Sequence, residues 1–220
     1  MNWLINRFRD RAEGGQFLAS KLESYADRSD VVVLALPRGG VPVGFEVAQS
    51  LHVPLGLLLV RKIGTPGHEE LAMGAVATGS VRVLHPDVVK TFGVSECAIE
   101  WATANAIQEL TYREQVYQGS RPCPQMTGKT VILVDDGMAT GATMRAAIAA
   151  LELQRPKRII VAVPVASLET CEELKTEVDE FVCGRTPASF HAVGLWYEDF
   201  SQLTDSDVRK LLDQAQLLDT

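Results

Sequence analysis

The chain has 220 residues, of which 46% are hydrophobic and 22% charged, enough to bury one substantial core, so a single globular domain over residues 1–220 is expected. Its formal net charge of -7 argues against broad electrostatic binding to nucleic acid or anionic membranes, because those partners require a basic surface that releases counterions. No segment reaches the ~20 apolar residues needed to cross a bilayer, and residues 1–7 lack the apolar run of a signal peptide, which places the protein in the cytoplasm with no membrane and no nucleic-acid partner expected.

In chain order, residues 31–36 form a continuous apolar run, the pattern of a strand buried on both faces. Pro37 ends it, Gly39 and Gly40 permit a tight turn, and residues 41–50 carry a helical pattern. A second strand is expected over residues 55–60, closed by the cations Arg61 and Lys62. Residues 64–79, with Gly64, Pro66, Gly67, Gly74 and Gly79, predict a loop leading into a hairpin whose second strand is residues 81–84. Residues 95–118 predict a long helix with Ile99, Ala106, Leu110 and Tyr117 among its buried positions. Residues 131–134 are a third strand, followed by a small-residue turn and an Ala-rich helix over residues 142–153. Residues 159–163, 168–176 and 178–183 continue as strand, helix and strand, and Thr204 with Asp207 offers a capping box for a last helix. Apolar strands separated by helices imply an α/β fold with a mostly parallel sheet covered on both faces. Residues 64–127 (a loop, the hairpin and the long helix) and residues 184–220 fall outside that rhythm and are expected to form a small cap region.

The chemistry concentrates in residues 134–144, where a buried strand passes into a helix, the position at which open α/β sheets collect ligands. Gly137 and Gly141 let the backbone turn closely around a ligand, and the first N–H groups of the following helix are unpaired and partly positive. Thr140 and Thr143 add hydroxyl donors, so residues 137–143 (Gly137, Met138, Ala139, Thr140, Gly141, Ala142, Thr143) read as a phosphate nest. The nest carries no Lys, unlike the loop that grips nucleoside triphosphates, and this disfavours a P-loop NTPase. Asp135 and Asp136 would repel a phosphate unless the ligand also brings hydroxyls or a metal. A sugar phosphate satisfies both demands.

This segment resembles the signature for 5-phosphoribosyl 1-pyrophosphate (PRPP) in class I phosphoribosyltransferases: an apolar strand, two acidic residues, a short turn, then Thr140-Gly141-Ala142-Thr143. The resemblance implies that Asp135 and Asp136 hold the ribose hydroxyls, touching Mg2+ only through those hydroxyls or water, and that residues 137–143 hold the 5-phosphate. It implies that Arg38, Gly39 and Gly40 form the pyrophosphate loop, that residues 64–74 are a lid, and that the sheet is of the type I phosphoribosyltransferase kind. Arg38, Arg61 and Lys62 are then the candidates for stabilising pyrophosphate as it leaves. The expected partners are PRPP, Mg2+ and a small-molecule acceptor of unassigned identity, in a homo-oligomer. One departure stands out: Ala139 occupies the place where some 6-oxopurine enzymes carry an Asp linked to chemistry at the base.

Two further functions compete with catalysis. A PRPP or nucleotide sensor on the same fold is one, although a regulator that binds RNA or DNA should show a basic face that this acidic chain lacks. A phosphotransfer receiver also places acids at strand ends, but leaves the Thr-Gly-Ala-Thr loop unexplained. Cys97, Cys123, Cys171 and Cys183 form no CxxC pair, so reduced thiols are expected rather than a zinc site. Trp196, Tyr197 and Phe200 are read as core packing, with stacking on an aromatic acceptor as the alternative, and His191 is given no role.

Overall fold

A computed structural model describes residues 7–79, 81–118 and 124–218; Cys123 and residues 1–6 lie outside these. In chain order the elements are α1 (Arg11–Lys21), β1 (Val31–Ala35), α2 (Gly40–Leu51), β2 (Leu55–Leu57), β3 (Val60–Thr65), β4 (His68–Ala77), β5 (Val81–Leu84), α3 (Pro86–Thr91) and α4 (Glu96–Gln118), followed by β6 (Thr130–Val134), α5 (Ala142–Glu152), β7 (Arg158–Val165), α6 (Leu168–Leu174), β8 (Glu180–Arg185) and α7 (Asp205–Leu218). Five strands make a wholly parallel sheet in the order β2-β1-β6-β7-β8. Its inner strands are buried at every position of β1 and β6, as their uninterrupted apolar sequence requires.

Side chains alternate across this sheet with a period of two. Val32, Leu34, Val131, Leu133, Val161 and Val163 pack on one face with Met144, Ile148 and Leu151 of α5 and Cys171 and Leu174 of α6. Val31, Val33, Ile132, Val134 and Ile160 pack on the other with Leu18 of α1 and Val43, Val47 and Leu51 of α2. Each Leu or Val so buried stabilises the fold by roughly 1.5–3 kcal/mol. The α/β architecture expected from the sequence is the one observed.

The apolar run at residues 55–60 is divided between two sheets rather than forming one strand. Leu55–Leu57 pairs with β1, and Val60 opens a separate antiparallel sheet, β3-β4-β5. Leu58 is buried in the core under α5 and Leu59 in a third core built with α4 and α7, so both residues at the break are apolar and hydrophobicity cannot mark it. Residues 64–79 also differ from the loop that their glycines predict: β3 runs to Thr65 and β4 begins at His68, leaving Pro66 and Gly67 as the turn. Arg61 and Lys62 therefore lie inside a strand of the second sheet.

Two helices, α1 and α3, have no counterpart in the sequence reading. In α1, Asp10 caps the start by accepting the Glu13 N–H at 2.9 Å, but Gly14 and Gly15 interrupt the helical pattern. Gly15 has a steric reason: a Cβ there would lie 2.6 Å from the Val43 carbonyl, so α1 and α2 touch backbone to backbone. The capping box at Thr204 and Asp207 is present, with Thr204 N–H donating to Asp207 at 3.0 Å and Asp207 N–H to the Thr204 hydroxyl at 3.2 Å. Among the described residues no helix is long and apolar enough to cross a membrane.

Candidate functional site

The chain runs from β1 to β2 in one direction and from β6 through β7 to β8 in the other, so the order of the sheet reverses between β1 and β6. At such a reversal the loops leaving the carboxyl ends part and open a crevice. Ala35 is level with Val134 in the register, and the Leu36 N–H donates to the Val134 carbonyl at 2.9 Å, so the turn over residues 37–40 and the acid pair emerge side by side. Their contact leaves no space for a side chain. A Cβ on Gly39 would lie 2.0 Å from Asp136 Oδ2, and one on Gly40 would lie 2.7 Å from the Val134 carbonyl.

The two carboxylates have little solvent and few donors. Burial pushes the Asp135 carboxyl well above the usual carboxylate range and the neighbouring Asp136 charge adds to this, while the Asp136 N–H, donating to Asp135 Oδ1 at 2.8 Å, works against it. Asp136 is also raised by burial, opposed by Arg11, whose Nε donates to Asp136 Oδ2 at 2.8 Å. The Tyr197 hydroxyl donates to the Asp136 carbonyl at 2.5 Å, and burial pushes that phenol upward. Among the described residues the Arg11 guanidinium thus serves two carboxylates, an arrangement that favours further hydroxyl donors or a cation.

The loop that follows is pinned from behind. The Met138 N–H donates to Val165 at 3.0 Å, the hydroxyls of Ser167 and Thr170 donate to the Ala139 carbonyl at 3.1 and 2.6 Å, and Arg145 donates to the Thr140 carbonyl at 2.8 Å. Gly141 enters α5 with a φ of 68°, and no side chain caps the helix beyond a long 3.5 Å contact from the Ala142 N–H to the Thr140 hydroxyl. Thr140, Ala142 and Thr143 are exposed, so the positive end of α5 opens to an anion between two hydroxyls.

The structure gathers Gly39, Gly40, Asp135, Asp136 and residues 137–143 at one place. Arg38 and Arg61 are held by groups of the chain itself. Arg38 donates to the Leu203 carbonyl at 2.7 Å and lies 3.7 Å from Asp205. Arg61 pairs with Glu109 of α4 at 2.5 Å, and strand alternation puts Lys62 on the opposite face of β3. Arg11, Arg145, Ser167, Thr170 and the hydroxyl role of Tyr197 escaped sequence reasoning. Tyr197 is buried against Phe8 and Val165, and Phe200 lies under the Arg11 guanidinium, 3.8 Å from ring centre to central carbon, so both rings pack within the chain. Among the described residues no group of three or more His, Cys, Asp or Glu side chains is gathered as a metal cage.

Residues 5–191 match the family model described as Phosphoribosyl transferase domain. The solved structure of TT1426 from Thermus thermophilus is 43% identical, with a TM-score of 0.85 over 94% of this chain and 98% of that one. A relative from Mycobacterium tuberculosis, named "Putative phosphoribosyl transferase Rv0571c", is 41% identical over 208 residues, which are 94% of this chain and 47% of that protein. The chain therefore spans about half the length of the curated relatives it matches. A shorter match, 48% identical over 60 residues, joins 27% of this chain to 33% of the "Bifunctional protein PyrR" of Thermus aquaticus.

Proposed function

Because the chain belongs to the phosphoribosyltransferase family, we propose that it binds PRPP and transfers its ribose 5-phosphate to a nitrogen acceptor, a nucleobase or related compound, with release of pyrophosphate. The observation that carries this reading is the pair of carboxylates at the sheet reversal, whose donors are the Asp136 N–H and Arg11 Nε, set beside the open start of α5. Asp135 and Asp136 accept hydrogen bonds from the ribose hydroxyls, supplying the donors that their burial demands. Residues 137–143 receive the 5-phosphate through backbone N–H groups and the hydroxyls of Thr140 and Thr143. The Gly39-Gly40 turn, packed against the acid pair, meets the pyrophosphate.

The donor set fits Mg2+, which takes oxygen ligands, keeps several waters and is typically held by one or two carboxylates together with substrate phosphates; Asp135 and Asp136 would reach it through the ribose hydroxyls or water. When bound, the ion supplies charge neutralisation on the pyrophosphate. The acceptor nitrogen lone pair forms the bond to ribose C1 as the bond from C1 to the pyrophosphate oxygen breaks, with inversion and oxocarbenium character. Arg38, Arg61 and Lys62 neutralise the departing charge. Arg38 and Arg61 first exchange Leu203, Asp205 and Glu109 for phosphate oxygens, so movement of the hairpin over residues 64–74 toward the crevice belongs to the same reading.

The test is incubation with PRPP, Mg2+ and a broad panel of nucleobases and amines, with pyrophosphate as the readout. Release with at least one acceptor is expected. Intact PRPP binding with no release across the panel would exchange the enzyme for a sensor.

A further inference from the structure

Arg11 stands 125 residues from Asp136 in sequence, yet its guanidinium is bonded to that carboxylate and held on two further sides. Its Nε donates to Asp136 Oδ2 at 2.8 Å, a terminal N–H donates to the Ser201 carbonyl at 3.0 Å, and its central carbon lies 3.8 Å from the centre of the Phe200 ring. The pair is nearly closed to solvent, with the Arg11 and Asp136 side chains 11% and 14% exposed. Each support is itself fixed. The start of α1 is held by the backbone contact of Gly15 with Val43, and Phe200 stacks on Tyr197 at 5.2 Å, whose hydroxyl returns to the Asp136 carbonyl.

An ionised carboxylate has about four lone-pair sites, so one N–H from Arg11 fixes its rotation and leaves the remaining sites for other donors. Only a planar guanidinium can stack on a ring, hold a carbonyl and aim Nε at the same time; an ammonium carries the charge without the geometry. We infer that Arg11 is a positioning residue for ribose recognition, which holds Asp136 against the Gly39 turn with its charge compensated and its free oxygen sites turned toward the ribose hydroxyls. This role rests on the ribose reading of the acid pair. It assigns Arg11 the opposite sign from a competitor: a guanidinium that merely occupied Asp136 in place of the hydroxyls would weaken PRPP binding, and its removal would strengthen it.

The experiment is calorimetric titration of the full chain with PRPP and Mg2+, comparing wild type, Arg11→Ala and Arg11→Lys. Loss of a charge-assisted hydrogen bond predicts affinity about tenfold or more weaker for Arg11→Ala, with a smaller loss for Arg11→Lys. Millimolar methylguanidinium should restore binding to Arg11→Ala while methylammonium should not, a response that a purely structural residue would not give. Equal or tighter binding by Arg11→Ala overturns the inference, as does a loss that methylguanidinium fails to repair. Should Arg11→Ala not fold, Arg11→Lys decides, because wild-type affinity in that variant removes the need for a planar donor. Wild type that binds no PRPP overturns the ribose reading and this role with it, whereas wild-type binding with unaltered variants overturns this role alone.

Discussion

The two ends of the parallel sheet both carry acids and treat them differently. At the entry end, Glu180 of β8 accepts the Tyr25 hydroxyl at 2.5 Å and lies 3.4 Å from Arg158, a carboxylate whose partners come from the chain itself. Burial, then Glu180, raises the Tyr25 phenol, so that proton stays in place. At the exit end, Asp135 receives one N–H from its neighbour, and Arg11 is the guanidinium bonded to Asp136. One end is satisfied by side chains of the chain itself, whereas the other has fewer donors, an imbalance that the proposed ribose would complete.

The contrast can be broken most severely at Gly39. A methyl group there would sit 2.0 Å from Asp136, so Gly39→Ala should cost about 1–3 kcal/mol of stability, read by denaturant melts, and abolish PRPP binding together. Asp135→Asn should separate the two properties instead. Its folded-state carboxyl is raised above the unfolded value, so the stability it contributes is full below the ordinary carboxylate range and is lost as pH rises toward the raised value. The amide should therefore melt about 2–4 °C higher near neutral pH, flatten that loss, and bind PRPP at least about tenfold more weakly. A lower melting temperature would show that the exit end is as well satisfied as the entry end.

Smaller effects sharpen the other side of the comparison. Glu180→Gln should lower stability by about 1 kcal/mol or less, since the pair is partly exposed, and leave PRPP affinity within about twofold. Arg61→Ala removes an exposed pair with Glu109 and should change stability by no more than about 0.5 kcal/mol. In turnover assays it should slow pyrophosphate release more than it weakens binding of ribose 5-phosphate; equal effects on both would separate Arg61 from the leaving group.

The exit end was legible in the sequence because its parts are contiguous. Residues 131–144 carry strand, acid pair, turn and helix start in a single stretch, and the burial of β1 and β6 on both faces follows directly from their apolar runs. What the sequence hid depends on distance or on competing signals. Arg11 meets Asp136 only through folding, and its helix is disguised by Gly14 and Gly15, although the spacing of Asp10 and Glu13 is a capping signal that would have located its start. The break after Leu57 is silent because Leu58 and Leu59 belong to two different cores. Ser167 and Thr170, which pin the Ala139 carbonyl, have the composition of an ordinary helix cap, a task that Ser167 also performs.

The central claim, that the under-donated acid pair holds a ribose, is tested most directly by calorimetric titration of wild type and Asp136→Asn with PRPP, each with and without Mg2+. Removal of a carboxylate that accepts ribose hydroxyls predicts affinity for PRPP with Mg2+ weaker by about 10- to 100-fold and a smaller gain in affinity on adding Mg2+. Equal affinity in the two proteins, with the same response to Mg2+, would contradict the assignment.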